Sequence, residues 1–308
     1  MKRFIRNIVI FGISLLIILL IEDAGTTLAF HKKTTRKYAV WNDIIHTNID
    51  ANMLIMGNSR AWCQYSPQIL DSVLGTSTYN IGIDGSCFDR QLARYDIYRH
   101  YQQIVPKYII QNVEFFTLGH TEGYEREQFM PYLMFPYFRK RICEIEPFSF
   151  GELYIPMFRY YKNNVYSDYT KFDFPIVKGY FGETSAWDGS KIKEIEPYYQ
   201  EVDTNTLRLF TKYIEDVKQE GIYLIFVFAP LYQDAMHTVL NLEKIHSIYY
   251  DLSEKYNIPI LDYANCANCW LSLDTTLFMN ATHLNKTGAE LFTMQLCHDL
   301  DSLGILQK

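Results

Sequence analysis

The stretch Met53-Leu54-Ile55-Met56-Gly57-Asn58-Ser59-Arg60 joins a short apolar run to a glycine and then to a serine. A continuous apolar run of this length suits a parallel strand buried on both faces. Gly57 lets the chain turn sharply as it leaves the sheet, and Ala61-Trp62-Cys63 can open a helix. A serine at such a strand-to-helix turn lies outside the carboxyl end of a strand, where open α/β sheets hold their ligands. Ser59 therefore has two readings, a nucleophile at the sheet edge or only the N-cap of the helix.

Four more strand-like runs follow: Thr76 to Asn80, Tyr108 to Val113, Ile222 to Phe228 and Pro259 to Leu261. Between them lie helical patterns at Ser66 to Leu74, Phe88 to Tyr101, Thr204 to Glu220 and Leu240 to Tyr256, with a last helix from Lys286. Gly221 is a well-placed helix terminator. Five strands alternating with helices predict a parallel sheet with helices on both faces, because right-handed crossovers force that layering. Topology alone then gathers Ser59, the Gly82–Gly85 loop, Asn112, Pro230 and Asp262 at one edge of the sheet.

Two segments stand outside this alternation. The N-terminus carries Lys2, Arg3 and Arg6 before an uncharged apolar run from Ile8 to Ile21, closed by Glu22 and Asp23. Residues 1–30 read as an uncleaved signal anchor or a cleaved signal peptide, with a buried core helix as the third possibility. Residues 31–50 read as a linker with a lead-in helix, and 51–308 as the α/β domain. Residues 117–200 are rich in Tyr, Phe, Pro and Gly and poor in periodicity, so they read as a long insertion, either a lid or binding loop or a second packing layer.

Composition narrows the function. The 308 residues are 48% hydrophobic and 21% charged, enough apolar material for a sizeable core. A net charge of −6 leaves no basic excess for phosphate backbones, which argues against nucleic acid. The 25 Tyr and 20 Phe suit carbohydrate contacts as well as core filling. Six scattered cysteines include the pair Cys266-Ala267-Asn268-Cys269. With no partner pair and no thioredoxin-like context, a metal site, a local disulfide and free thiols all remain open.

A serine hydroxyl needs a base to take its proton and donors to hold the oxyanion that forms. Most of the eight histidines fall in helical patterns or in the insertion. His283 differs, because it sits in the loop Asn280-Ala281-Thr282-His283-Leu284-Asn285, which leads into the last helix and returns to the edge that carries Ser59.

These residues resemble a family. Gly57-Asn58-Ser59-Arg60 is similar to the first block of the SGNH/GDSL hydrolases, Asn80-Ile81-Gly82-Ile83-Asp84-Gly85 to the second, and Asn280 to Ala289 to the last. The resemblance implies a flavodoxin-like three-layer α/β/α fold with Ser59 as nucleophile and His283 as base. It also implies oxyanion donors from Gly85 and Asn112, no metal or cofactor, and ester substrates, often O-acyl groups on glycans. With an N-terminal anchor, the chain is similar to membrane-anchored acyl-transfer proteins of the DltD and alginate-acetylation type. That implies a periplasmic, extracytoplasmic domain and a membrane-bound acyltransferase as possible partner.

Two positions depart from the pattern. Asn280 stands where the family carries the triad Asp, and Gln111-Asn112-Val113-Glu114 lacks the glycine of the third block, so Glu114 competes with Asn112 for its place. The site then reads as a Ser-His dyad, a triad completed by another carboxylate such as Asp274, or an impaired centre. Arg60 either binds an anionic group of the substrate or forms a structural ion pair. Two functions follow: a serine esterase or O-acyltransferase working through an acyl-enzyme, or a non-catalytic glycan-binding or envelope-assembly protein. A thiol-redox role for Cys266 and Cys269 is a third, weaker reading.

Overall fold

The computed structural model describes all residues except 121–124, 163–164, 166–175, 191, 193–194, 265–269 and 307–308. The Cys266–Cys269 pair lies outside the described residues. Five parallel strands form the central sheet: β1 (Met53–Met56), β2 (Thr78–Asn80), β3 (Tyr108–Asn112), β4 (Tyr223–Phe228) and β5 (Ile260–Asp262), in the order β2-β1-β3-β4-β5. Met56 pairs with Gln111, Asn112 with Val227 and Phe228 with Asp262, so the carboxyl ends of all five strands share one edge.

Alternation along the strands shows why the sheet is covered twice. Leu54, Met56, Ile109, Phe226 and Phe228 enter one core, while Met53, Ile55, Ile110, Ile225 and Val227 enter the other. Successive strand side chains point to opposite faces, and burying each such side chain stabilises by roughly 1.5–3 kcal/mol. The first core is shared with α1 (Lys2–His31), α2 (Arg36–His46), α5 (Phe88–Gln102), α9 (Thr204–Gln219) and α10 (Leu242–Tyr256). The second is closed by α4 (Pro67–Leu74) and α11 (Lys286–Ser302). The short α3 (Ser59–Gln64) follows β1 directly. The result is a three-layer α/β/α architecture.

Residues 31–50 carry the helix α2, and its Tyr38, Val40, Trp41 and Ile44 are fully buried in the first core, so this segment packs as part of the domain. Its apolar face is wide enough to pack, so it does. The insertion divides between two places. Its first part holds α6 (Pro136–Cys143), α7 (Phe150–Tyr154) and α8 (Phe158–Lys162) and packs against α1 and α2 through Trp41, Phe129, Tyr132 and Phe138. Its later part, from Val177 to Trp187, runs beside α3 and the loop before α11. A short antiparallel hairpin, β6 (Phe278–Asn280) and β7 (His283–Leu284), had no clear signal in the sequence.

Candidate active site

The turn after β1 is built for close approach. Gly57 has φ +149°, and a Cβ there would lie 2.6 Å from Ala61 Cβ and 2.8 Å from Asn112 Cβ. Only glycine fits both the conformation and the space. The cap of α3 is Asn58, whose side chain accepts the Arg60 N–H at 3.1 Å. Ser59 is therefore the first helical residue, and its hydroxyl is not spent on capping.

The hydroxyl of Ser59 meets His283 Nε2 at 2.7 Å. The hairpin holds the histidine in place. Asn280 opens a tight turn in which its Oδ1 accepts the N–H groups of Thr282 and His283, both at 3.0 Å, and the Thr282 hydroxyl at 3.1 Å. Side-chain closure of a turn in this way is a habit of Asn and Asp alike. Below the hairpin, Asn285 caps α11 through Gly288 N–H at 3.1 Å and donates to Thr276 O at 2.7 Å. A Cβ on Gly288 would come 2.2 Å from Leu277 O, so the early glycine lets α11 start against the loop.

These contacts determine the tautomer. Two backbone N–H groups can only donate, so the Asn280 atom they share is the oxygen. That oxygen also lies 2.9 Å from His283 Nδ1. Nδ1 also lies 2.9 Å from the Thr282 hydroxyl, which can act either way. The Asn280 oxygen can only accept, so Nδ1 carries the proton, and Nε2 presents its lone pair to the Ser59 hydroxyl. Burial pushes the imidazole down to about 4, helped by the positive Arg60 guanidinium. His283 is neutral at pH 7, the state a proton acceptor needs. Among the described residues no carboxylate bonds to His283. Asp274 caps the turn Thr275–Leu277 through Thr276, whose two hydrogen bonds hold its carboxyl below the usual range.

Arg60 takes the ion-pair role and not a substrate-facing one. It is 2% exposed, donates to Glu114 Oε2 at 2.9 Å and reaches the Ala229 carbonyl. The side chain turns inward because three strand ends converge there and supply a carboxylate and a carbonyl. Glu114 is equally buried; burial raises its carboxyl while Arg60 opposes the rise. The pairing was invisible in the sequence, where 54 positions separate the partners.

Asn112, fully buried at the end of β3, accepts the Tyr65 hydroxyl on Oδ1 at 2.7 Å. Its Nδ2 is buried with no hydrogen-bond partner among the described residues. A buried amide donor left unpaired costs roughly 1–3 kcal/mol, which makes it a candidate for a developing oxyanion. Gly82 donates its N–H to Asn80 Oδ1 at 2.9 Å, and a Cβ there would strike Trp62 N at 2.6 Å, so this glycine serves close packing. Gly85, at φ +58°, forms the turn in the same loop and is half-buried.

Beside the site, Trp62 stacks on Phe181 with ring centroids 4.6 Å apart. A cavity of about 510 Å³ opens against Asn280 and Thr282, walled by Trp187, Ile192 and Ile195. Among the described residues no group of three His, Cys, Asp or Glu side chains is placed to hold a metal ion.

No family model and no curated relative matches this chain. Among solved structures it is similar to a member of the lipolytic protein G-D-S-L family from Veillonella parvula, 12% identical over 80% of this chain and 96% of that one, with a TM-score of 0.41. It is also similar to a lipase/acylhydrolase from Enterococcus faecalis, 10% identical over 82% and 95%, TM-score 0.41. A third is a family two carbohydrate esterase from Clostridium thermocellum, in complex with cellohexaose, 10% identical over 84% and 66%, TM-score 0.44. Identities and scores this low leave the reaction to be read from the site's own atoms.

Proposed function

We propose that this chain is an SGNH-type serine esterase or O-acyltransferase that works through an acyl-enzyme on acylated glycans or similar esters. The observation that carries the reading is the relay Ser59 Oγ to His283 Nε2 at 2.7 Å, with Nδ1–H committed to Asn280 Oδ1 at 2.9 Å. Ser59 Oγ attacks the acyl carbonyl carbon and His283 Nε2 takes the hydroxyl proton. The oxyanion rests on the Asn112 amide and the N–H groups of Ser59 and Gly85. Collapse breaks the ester bond, and His283 returns the proton to the leaving alcohol. Water or an acceptor hydroxyl then repeats the cycle and frees the acyl group. The half-buried rings of Trp62, three residues beyond Ser59 on α3, of Phe181 packed on it and of Trp187 in the cavity wall are what supports a sugar-bearing substrate.

The N-terminal helix is long and apolar enough to cross a membrane, and the reading takes it as a retained anchor with the domain on the extracytoplasmic side. Thr27 and Phe30, 4% and 1% exposed, support retention, since cleavage nearby would strip part of the domain's packing.

The full chain in detergent is tested with p-nitrophenyl acetate and acetylated xylan, beside Ser59→Ala and His283→Gln. Turnover that falls at least 10³-fold in both variants is expected. Equal, slow acetate release from all three proteins refutes the reading and leaves a binding or assembly role.

A further inference from the structure

We infer that a second surface, formed by α7 and α8, lies in the headgroup–acyl boundary of the bilayer that α1 enters. The inference rests on the reading of α1 as a retained membrane span. Five large side chains within residues 150–161 (Phe150, Tyr154, Ile155, Phe158 and Tyr161) are between 41% and 72% exposed. Scattered single exposures are ordinary, but a contiguous cluster marks an interaction surface.

Its position along α1 names the occupant. A hydrocarbon core of roughly 30 Å takes about 20 helical residues. The uncharged run Ile8 to Ile21, lengthened at its start by Phe4 and Ile5 with Arg6 reaching back to the headgroups, ends at Glu22 and Asp23. Asp23 therefore marks the far boundary of the span. At that level, Asp23 accepts the Met157 N–H at 2.9 Å and pairs with Arg159 at 2.5 Å. One turn further, Thr27 shares a hydrogen bond with the Tyr160 hydroxyl, and the Tyr160 ring lies over Phe30 at 6.1 Å. The α7–α8 segment is thus fastened to the helix where its apolar run ends. Leu19, in the last turn of that run, is itself partly covered by the first core.

The surface is preformed. Ser149 and Glu152 make a capping box at the start of α7. Glu152 is fully buried and held by Lys162 at 3.0 Å and Arg126 at 3.4 Å, which turns the Phe150 and Tyr154 side of the helix outward. A Cβ on Gly151 would sit 2.8 Å from the Phe158 ring, so the two helices are in contact. Phe150 and Tyr154 rings are 5.0 Å apart, and the Arg139 guanidinium lies 5.9 Å from the Tyr154 ring. Aromatic rings with a cationic fringe match the interfacial zone of a bilayer, where amphipathic rings concentrate. The contact makes the domain sit on the membrane in one orientation.

The test uses the full chain in lipid nanodiscs, with p-benzoylphenylalanine in place of Ile13, Tyr154, Phe158 or Tyr223, one at a time. Irradiation is expected to give lipid adducts by mass spectrometry at 13, 154 and 158 and none at 223. Adducts at 13 without adducts at 154 and 158 overturn the inference and leave the anchor standing. No adduct at 13 overturns the anchor reading itself. Covalent dimers or protein adducts at 154 and 158 also overturn the inference, because the surface then has another occupant. In the unmodified chain, amide exchange over residues 150–162 is expected to slow at least threefold in nanodiscs relative to short-chain detergent, and equal rates count against it.

Discussion

Replacing Asn280 by Asp changes one atom type at the end of the relay and leaves its shape intact. Oδ1 of Asn280 already collects four donors, and a carboxylate oxygen accepts the same four. The tautomer of His283 is already correct, so the variant adds only charge. A unit charge about 4 Å from the imidazolium is worth about 4 kcal/mol at an effective dielectric constant of about 20. Asn280 is exposed, and screening by water reduces this to roughly 1.5–2.5 kcal/mol. At about 1.4 kcal/mol per pH unit, the His283 pKa should rise by about 1–2 units from its value near 4. The acid limb of kcat/KM, measured with p-nitrophenyl acetate from pH 3.5 to 8, should move up by the same amount. The imidazolium formed during attack gains the same stabilisation, so kcat at pH 7.5 should rise about 10- to 70-fold. A larger change is not expected, because the much greater loss from an Asp-to-Asn change in a serine protease includes a wrong tautomer. An acid limb that stays within about 0.3 units of wild type, or a fall in kcat, refutes the assigned proton positions.

Four further outcomes follow from the same geometry. Gly57→Ala forces a Cβ against Ala61 and Asn112 at a positive φ and should cost about 2–4 kcal/mol, read as a melting-temperature drop of roughly 5–10 °C. Asn112→Ala should lower kcat about 10²-fold or more, while Tyr65→Phe, which frees the amide to rotate, should cost about 10-fold in kcat with little change in KM. Arg60→Met strands a buried Glu114 and should destabilise by about 3–5 kcal/mol in chemical denaturation, most of it recovered in Arg60→Met/Glu114→Leu. The depressed pKa of His283 means that the unfolded chain binds its proton first, so stability falls between pH 6.5 and about 4 by at most about 3 kcal/mol. His283→Gln should flatten that part of the stability–pH curve, and an unchanged slope refutes the shift.

The parts of the fold that could be read in advance are those where one local pattern suffices. The three inner strands β1, β3 and β4 are short, largely apolar runs with both faces covered, and Leu224 to Phe228 shows it most clearly. Once those runs are ordered, the edge that gathers Ser59 and Asn112 follows from parallel topology. His283 was found because a loop before the final helix must return to that edge. What could not be read depends on partners far apart in the chain. The destination of the Arg60 side chain required knowing that β3 and β4 end beside it. The hairpin of Asn280 and His283 has too few residues for any periodicity, and its strands are held by the Asn280 side chain as much as by their own ladder. The aromatic insertion read as one segment because composition does not say which rings face α2 and which face α3.

The carboxylate of a serine triad does two jobs that this site separates. One is geometric: it holds the imidazole in the tautomer that leaves Nε2 bare. The turn at Asn280 does that with an amide oxygen, because closing the turn needs an acceptor and not a charge. The other job is electrostatic, and nothing described near His283 does it. Arg60 pushes the other way, since its charge sits within reach of the ring even though Glu114 pairs with it. In the proposed mechanism this makes His283 a weak base at rest and a reluctant cation during attack, so the oxyanion donors must carry more of the stabilisation. Asn112 is then the residue on which the rate should depend most steeply. The same arrangement keeps the imidazole neutral far into the acid range, so the relay stays competent at pH values where an ordinary histidine is already protonated.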